Sequence, residues 1–365
     1  MKRTSLLSVL LAAALSVSML AGCGSTDDTT ATDATTVTTD PPVVTPPADT
    51  HLHLDPVAYP DEFDFSDTDS IERYFDMCEI LDGVRVSVAK RSKQITMRAK
   101  INGTTFSLTV GLDKAEGHTT PEQVVTCAKL FWYCYPQMYA RFATKTTPTS
   151  VTLNIENEGY EVAHASGDVV HIHDQWLEKN PQDFDCLTHE FAHIMQGGWD
   201  GNYCPAFTKD DGEKDTYMIE RFADYCRYLY AYKGGYYNDM IWTLHTVQGE
   251  NTYYKSVRFW VWLDYTYSTN DIDIMLRLQQ AVSKKTYGND AWEPTGEAWG
   301  EMFAGTAAEG KDLNTLWEEY AGSQFASAKS KPREQGAKSA LLGIAPLRTA
   351  LQDRYPDGDN YRKVQ

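Results

Sequence analysis

The sequence predicts an α+β fold in which a mixed β-sheet is followed by a mostly helical C-terminal part. Residues 84–110 alternate apolar and polar side chains with the two-residue period of β-strands. Further short strand-like runs occur at 149–155 and 169–172. From residue 183 onward the pattern is mostly helical. The helix predicted at 183–196, with Asp183 as its expected N-cap, is apolar on most sides, so we expect the sheet to pack on it as a central helix.

Turn and cap residues set the boundaries of these elements. Strands are predicted at Val84–Val88, Ile95–Lys100, Thr105–Val110, Thr149–Ile155 and Val169–Ile172. Asn102-Gly103 predicts a tight turn, and Thr120-Pro121 predicts the start of a helix that runs to about Phe142, since proline fits the first helical position. Residues 57–117 are expected to be a small β-rich module or an extension of the main domain at 118–325, and 326–365 a tail.

The N-terminus has the organisation of an export signal. Met1-Lys2-Arg3 is basic, and the apolar stretch Leu6–Leu20 has the length of a signal-peptide core but is short for a spanning helix. Leu20-Ala21-Gly22-Cys23 resembles a bacterial lipobox, in which Cys23 becomes the lipidated first residue. We therefore expect residues 1–22 to be a signal peptide. The mature protein would be exported and lipid-anchored to the bacterial cell envelope, facing the outside or the periplasm.

Composition and charge indicate the character of residues 23–56 and argue against one class of partner, nucleic acid. Residues 23–56 are rich in Thr, Asp and Pro without an apolar period, so they are predicted to be a disordered tether. The formal net charge of −18 argues against nucleic acid as a partner. With Cys23 lipidated, six cysteines are left, and a disulfide between Cys186 and Cys226 is one hypothesis among several pairings.

The stretch His189-Glu190-Phe191-Ala192-His193 contains the pattern His-Glu-x-x-His. On a helix, His189 and His193 lie on one face, and two imidazoles at that spacing can share one tetrahedral Zn²⁺. Glu190 is rotated by about 100° from His189. Its carboxylate can therefore act as the base for a zinc-activated water instead of binding the metal. The pattern indicates zinc-dependent hydrolysis, with Glu190 as the catalytic base.

A catalytic zinc needs a third protein ligand, which is expected from a second helix at 217–228. Glu220 on this helix is the candidate third ligand. Asp224, one turn later, is the candidate acceptor for the free ring nitrogen of a ligand histidine. Tyr217, a turn before Glu220, is a candidate for stabilising an oxyanion.

Other interpretations of these residues stay open. His189 and His193 could be packed core histidines beside an exposed glutamate, although burying them in an apolar helix without a partner is costly. Asp200 is a less favoured third ligand. The scheme with a histidine six residues after His193 fails, because Trp199 occupies that position. A closed structural zinc site would need a fourth protein ligand, for which the sequence offers no clear candidate.

Several stretches, taken together and in order, resemble the basic secretory protein family of zincin-like peptidases. The similarity extends over roughly residues 118 to 322 and is carried by Val162–Gly167 with Val170–His173, Asn180–Asp183 before the His-Glu motif, Glu220–Arg227, Phe259–Asp264, and Leu313–Tyr320. Arg221 and Cys226 depart from the Gly and Val that are usual in the family. The chain is also acidic, whereas the family name describes basic proteins.

The resemblance implies a zincin-like metallopeptidase fold with Zn²⁺ as cofactor and a protein or peptide as substrate. It also implies His189, His193 and Glu220 as metal ligands, with Glu190 as the catalytic base. In such a fold the edge strand above the zinc helix pairs with substrate backbone, and residues 162–168 are our candidate for that strand. The alternative function is a weakly active or inactive zincin scaffold that binds a surface polymer or glycoprotein.

Overall fold

The computed structural model describes residues 58–76, 81, 83–159, 162–181, 183–196, 217–230, 257–269, 271–284 and 296–323. Within these ranges the chain forms one six-stranded mixed sheet and nine helices. The predicted α+β class is therefore confirmed. No helix in the described ranges combines the length and the apolar character needed to cross a bilayer.

The six strands form a single sheet in the order β1-β2-β3-β4-β6-β5. Their bounds are β1 Arg85–Ala89, β2 Gln94–Ile101, β3 Thr104–Gly111, β4 Ser150–Glu156, β5 Ala163–Ser166 and β6 Val169–His173. The first three strands are antiparallel, whereas β3 pairs in parallel with β4 and β4 in parallel with β6. Strands before and after residue 118 thus share one sheet.

The helices lie mostly after the sheet in sequence. Their bounds are α1 Thr68–Tyr74, α2 Pro121–Phe142, α3 Asp174–Lys179, α4 Cys186–Met195, α5 Tyr217–Tyr230, α6 Val257–Tyr267, α7 Ile274–Lys284, α8 Glu297–Phe303 and α9 Leu313–Ala321. Helix α2 begins where the sequence predicts. Gln123 N donates to Thr120 Oγ1, and the Thr120 backbone N–H donates back to the Gln123 side chain.

The two faces of the sheet differ in chemistry because apolar and polar residues alternate along its strands. The inner face is apolar and fully buried, as shown by Met97, Leu108, Leu153 and Ile172. Helices α2 and α4 pack against each other on this side, and α4 also contacts β5 and β6. The edge strand β5 consequently lies beside α4, the helix that carries the His-Glu-x-x-His pattern.

Candidate metal centre

Helix α4 places two histidines on the same side because its apolar side is buried in the core. Leu187 and Phe191 are fully buried, and the Phe191 ring meets the edge of Phe131 on α2 with centroids 5.4 Å apart. His189 and His193 are one turn apart, and their ring centroids are 4.7 Å apart. Apolar packing on one side of α4 therefore leaves both imidazoles on the side toward α5.

The side chains of His189, His193 and Glu220 converge between α4 and α5. Glu220 Oε2 lies 3.1 Å from His189 Nε2 and 3.8 Å from His193 Nε2. The ligand atoms of all three residues lie within 4.8 Å of one another. Two ligands of a tetrahedral zinc are about 3.4 Å apart, given bonds of about 2.1 Å. The three donors fit such an ion, and in the described residues they are the only convergent group of this kind.

The outward-facing nitrogens of both imidazoles have acceptors of their own. His189 Nδ1 lies 2.8 Å from Asp224 Oδ1, and His193 Nδ1 lies 2.8 Å from Gln196 Oε1. In the neutral, metal-binding form of each ring, a proton on Nδ1 leaves the lone pair of Nε2 on the side of Glu220. Gln196 was not among the predicted site residues. Its position three residues after His193 on the same helix is a signal that could have identified it.

Arg221 departs from the residue that is usual in the family that the sequence resembles. Its guanidinium forms an ion pair with Asp224 Oδ2, one turn along α5. Asp224 therefore bridges Arg221 and His189 through its two oxygens. The long side chain next to Glu220 does not prevent α5 from approaching α4.

Without a metal, the neighbouring carboxylates of Asp224 and Glu220 favour the protonated form of His189. Burial alone lowers its pKa, but the charge of Asp224, together with hydrogen bonds to Asp224 and Glu220, raises the pKa to about 10. Burial also opposes ionisation of Glu220, yet His193 and the hydrogen bond from His189 lower its pKa to about 2. A metal that binds His189 Nε2 therefore has to displace a proton.

Glu190 has the environment of a general base. Its side chain is buried at 8% exposure, and burial raises the pKa of its carboxyl, although the neighbouring His189 and His193 partly oppose the shift. A carboxylate whose pKa lies above the ordinary range accepts a proton more readily near neutral pH. Its charge interacts with the charges of His189, His193 and Glu220, so the carboxyl lies close to the convergent ligand set.

The two helices of the centre are also joined by a buried ion cluster. Arg227 of α5 donates to Asp183 Oδ1 at 2.6 Å and to Asp185 Oδ1 at 3.3 Å, just before α4. Trp176 Nε1 donates to Asp183 Oδ2 at 2.9 Å. The expectation that Asp183 caps the zinc helix is wrong. Asp185 occupies the cap position, and the Asp183 carboxylate is already bound to Arg227 and Trp176.

The remaining predicted residues are either described with a different outcome or lie outside the described residues. Cys186 and Cys226 are buried free thiols, so the hypothesis of a disulfide between them is wrong. Tyr217 is the first residue of α5, but its side chain lies outside the described part of the chain. Asp200 and the lipidation residue Cys23 also lie outside the described residues. The roles suggested for these three residues stay predictions.

Comparison of the chain with models of protein families, with curated proteins and with solved structures found no match.

Proposed function

We propose that this protein is a zinc-dependent metallopeptidase that hydrolyses peptide bonds of extracellular proteins or peptides. The observation that carries the proposal is the convergence of His189 Nε2, His193 Nε2 and Glu220 Oε2 beside a buried glutamate. The opposite nitrogen of each imidazole has its own acceptor. Three protein ligands leave one coordination position open, which is typical of catalytic and not of structural zinc sites.

Each residue of the centre has a role that follows from its contacts. His189, His193 and Glu220 would hold the metal, and Asp224 and Gln196 orient the two imidazoles through Nδ1. A zinc ion held there would supply a Lewis acid that polarises water and the scissile carbonyl. The Glu190 carboxylate accepts a proton from the attacking water and passes it to the leaving amine.

Strand β5 supports a peptide as the substrate. It lies at one edge of the sheet next to α4, and within the described strands it pairs only with β6. The backbone groups on its other edge are therefore positioned to pair with an extended peptide, the common recognition mode of exposed sheet edges. The predicted substrate strand at 162–168 contains β5, and its role as a substrate strand is part of this proposal.

The variant Glu190→Gln tests the proposal. It removes the base but keeps a side chain of the same size, so we expect peptide cleavage to fall by at least about 100-fold while bound zinc stays near one per chain. Glu220→Gln serves as the matched variant, because loss of a ligand should reduce both bound zinc and cleavage. The measurements are zinc content by elemental analysis and turnover of a quenched fluorescent peptide library.

The same experiment separates the peptidase from the polymer-binding scaffold. A wild-type protein that binds zinc but cleaves no library peptide, or a Glu190→Gln variant that cleaves as fast as wild type, would contradict the proposal. A metal-replete wild type without bound zinc would contradict the centre itself.

A further inference from the structure

The hairpin formed by β1 and β2 has an unusual charge for this chain. Residues 84–112 contain six Lys and Arg residues and no Asp or Glu, although the whole chain has a net charge of −18. All six cationic side chains are exposed: Arg85, Lys90, Arg91, Lys93, Arg98 and Lys100. The hairpin is thus a cationic region on an otherwise acidic protein.

Two features of this hairpin are unfavourable for its stability. Arg85 and Arg98 stand directly opposite each other in the β1–β2 register, and like charges in that arrangement destabilise a strand pair. Lys93 has a φ of 44°, in the left-handed region where glycine or asparagine is the ordinary choice. Residues that break local rules without a compensating contact are expected at functional sites.

Among the described residues, these six cations have few partners that offset their charge. None of the six forms an ion pair with another described residue. Lys90 alone is engaged, because its Nζ donates to Ser66 O at 3.0 Å and its charge acts on Asp64 and Asp67. The basic hairpin is defined here as the other five residues: Arg85, Arg91, Lys93, Arg98 and Lys100.

The basic hairpin has two cationic ends joined by hydroxyl side chains. Arg98 and Lys100 lie on the polar face near the open end, opposite Arg85, whereas Lys93 lies at the turn. Lys93 and Lys100 are separated by about 23 Å along the strand, at about 3.3 Å per residue. Between the ends, Ser87 is paired with Thr96, and Thr96 Oγ1 lies 3.1 Å from the hydroxyl of Thr109 on β3.

We propose that the basic hairpin binds a linear polyol-phosphate polymer, in which phosphodiester groups repeat along a chain that carries no nucleobases. Arginine and hydroxyl groups both suit phosphate oxygens, arginine through its bidentate fork. A single phosphate reaches only one of the two cationic ends, whereas a chain of phosphates spans both. The hairpin presents no large apolar side chain on this face that would insert into a bilayer, which favours a polymer over a lipid surface.

The surface is separate from the candidate metal centre. Strand β1 is at one edge of the sheet and β5, which packs beside α4, is at the other. The inference therefore does not depend on the proposed peptidase function. Binding to the hairpin and cleavage of peptides can be measured and lost independently.

The test compares two double variants of the full-length protein that remove the same charge. Arg85→Gln/Arg98→Gln alters the basic hairpin, and Lys145→Gln/Lys179→Gln removes two exposed cations elsewhere. The probe is synthetic poly(glycerol phosphate), with monomeric glycerol phosphate, phosphatidylglycerol vesicles and duplex DNA for comparison. Affinities are measured by fluorescence anisotropy or by vesicle sedimentation across a series of salt concentrations.

We expect the polymer to bind wild type and the Lys145/Lys179 control equally, and the hairpin variant at least about tenfold more weakly. The slope of log K against log salt should become shallower by about 1.4, for two lost phosphate contacts. Monomeric glycerol phosphate should bind no variant measurably. Because the like-charge pair is removed, the hairpin variant should melt at the same temperature as wild type or higher.

Four results would overturn the inference. They are an equal loss of affinity in both double variants, tighter binding of vesicles or duplex DNA than of the polymer, absence of polymer binding at low salt, and a hairpin variant that melts below wild type. The last result would show that the Arg85–Arg98 pair supports the fold.

Discussion

Removal of the carboxylate behind His189 should weaken zinc binding without unfolding the protein. Asp224 is 7% exposed, accepts from His189 Nδ1 at 2.8 Å and pairs with Arg221. Loss of such a partner costs about 10–100-fold in metal affinity, or about 1.4–2.7 kcal/mol. We expect Asp224→Ala to be at the upper end, because it also leaves the Arg221 charge near the cation. Asp224→Asn keeps a neutral acceptor and should lose only about tenfold.

The measurement is competition for Zn²⁺ against a chromophoric chelator at fixed pH. Asp271→Ala is the matched control, because it removes a carboxylate whose side chain is exposed, and its zinc affinity should equal that of wild type. Thermal melts of the metal-free proteins report whether each variant folds. An Asp224→Ala variant that folds and binds zinc within about twofold of wild type would refute the assigned positioning role, since the expected loss is far larger.

Two further predictions concern Gln196 and Asp174. Gln196→Leu removes the acceptor of His193 Nδ1 and should lower zinc affinity about tenfold in the same chelator assay. Gln196→Glu keeps an acceptor and should retain the zinc affinity of wild type. Equal affinities of the two variants would contradict the role assigned to Gln196. Burial alone raises the pKa of Asp174, but hydrogen bonds from Thr119 and from the backbone of His118 outweigh it and lower the pKa. Its stabilising effect is therefore present above the ordinary carboxyl pKa of about 3.9 and lost as pH falls through the lowered folded value. In urea titrations of the metal-free proteins, Asp174→Asn should have a lower free energy of unfolding than wild type at neutral pH, and the difference should shrink near pH 3. A difference that stays constant with pH would contradict this role of Asp174.

Local patterns in the sequence predicted most of the secondary structure. The alternation at 84–110 and the Thr120 cap predicted β1 to β3 and the start of α2, because these signals depend on neighbours a few residues apart. The sheet order could not be predicted in the same way. Pairing of β4 between β3 and β6 depends on contacts across the fold that no local pattern encodes.

The candidate site, too, could be predicted from the sequence only in part. Spacing within one helix was enough to bring His189 and His193 together. Their approach to Glu220, 31 residues from His189, had to be inferred from a second helical stripe. The wrong prediction of a cap at Asp183 has a physical reason. The residue type suits a helix start, but its carboxylate accepts a hydrogen bond from the buried Arg227 of α5.

The anchoring of α5 has a consequence for engineering. Arg227 on Asp183 joins α5 to the residues just before α4. The Phe222 ring against Phe142 at 5.1 Å and Arg141 on Tyr225 at 2.9 Å join it to α2. None of the residues in these three contacts belongs to the ligand triad. A redesign that exchanges the ligand residues for those of another metal could therefore leave the contacts that hold α5 unchanged.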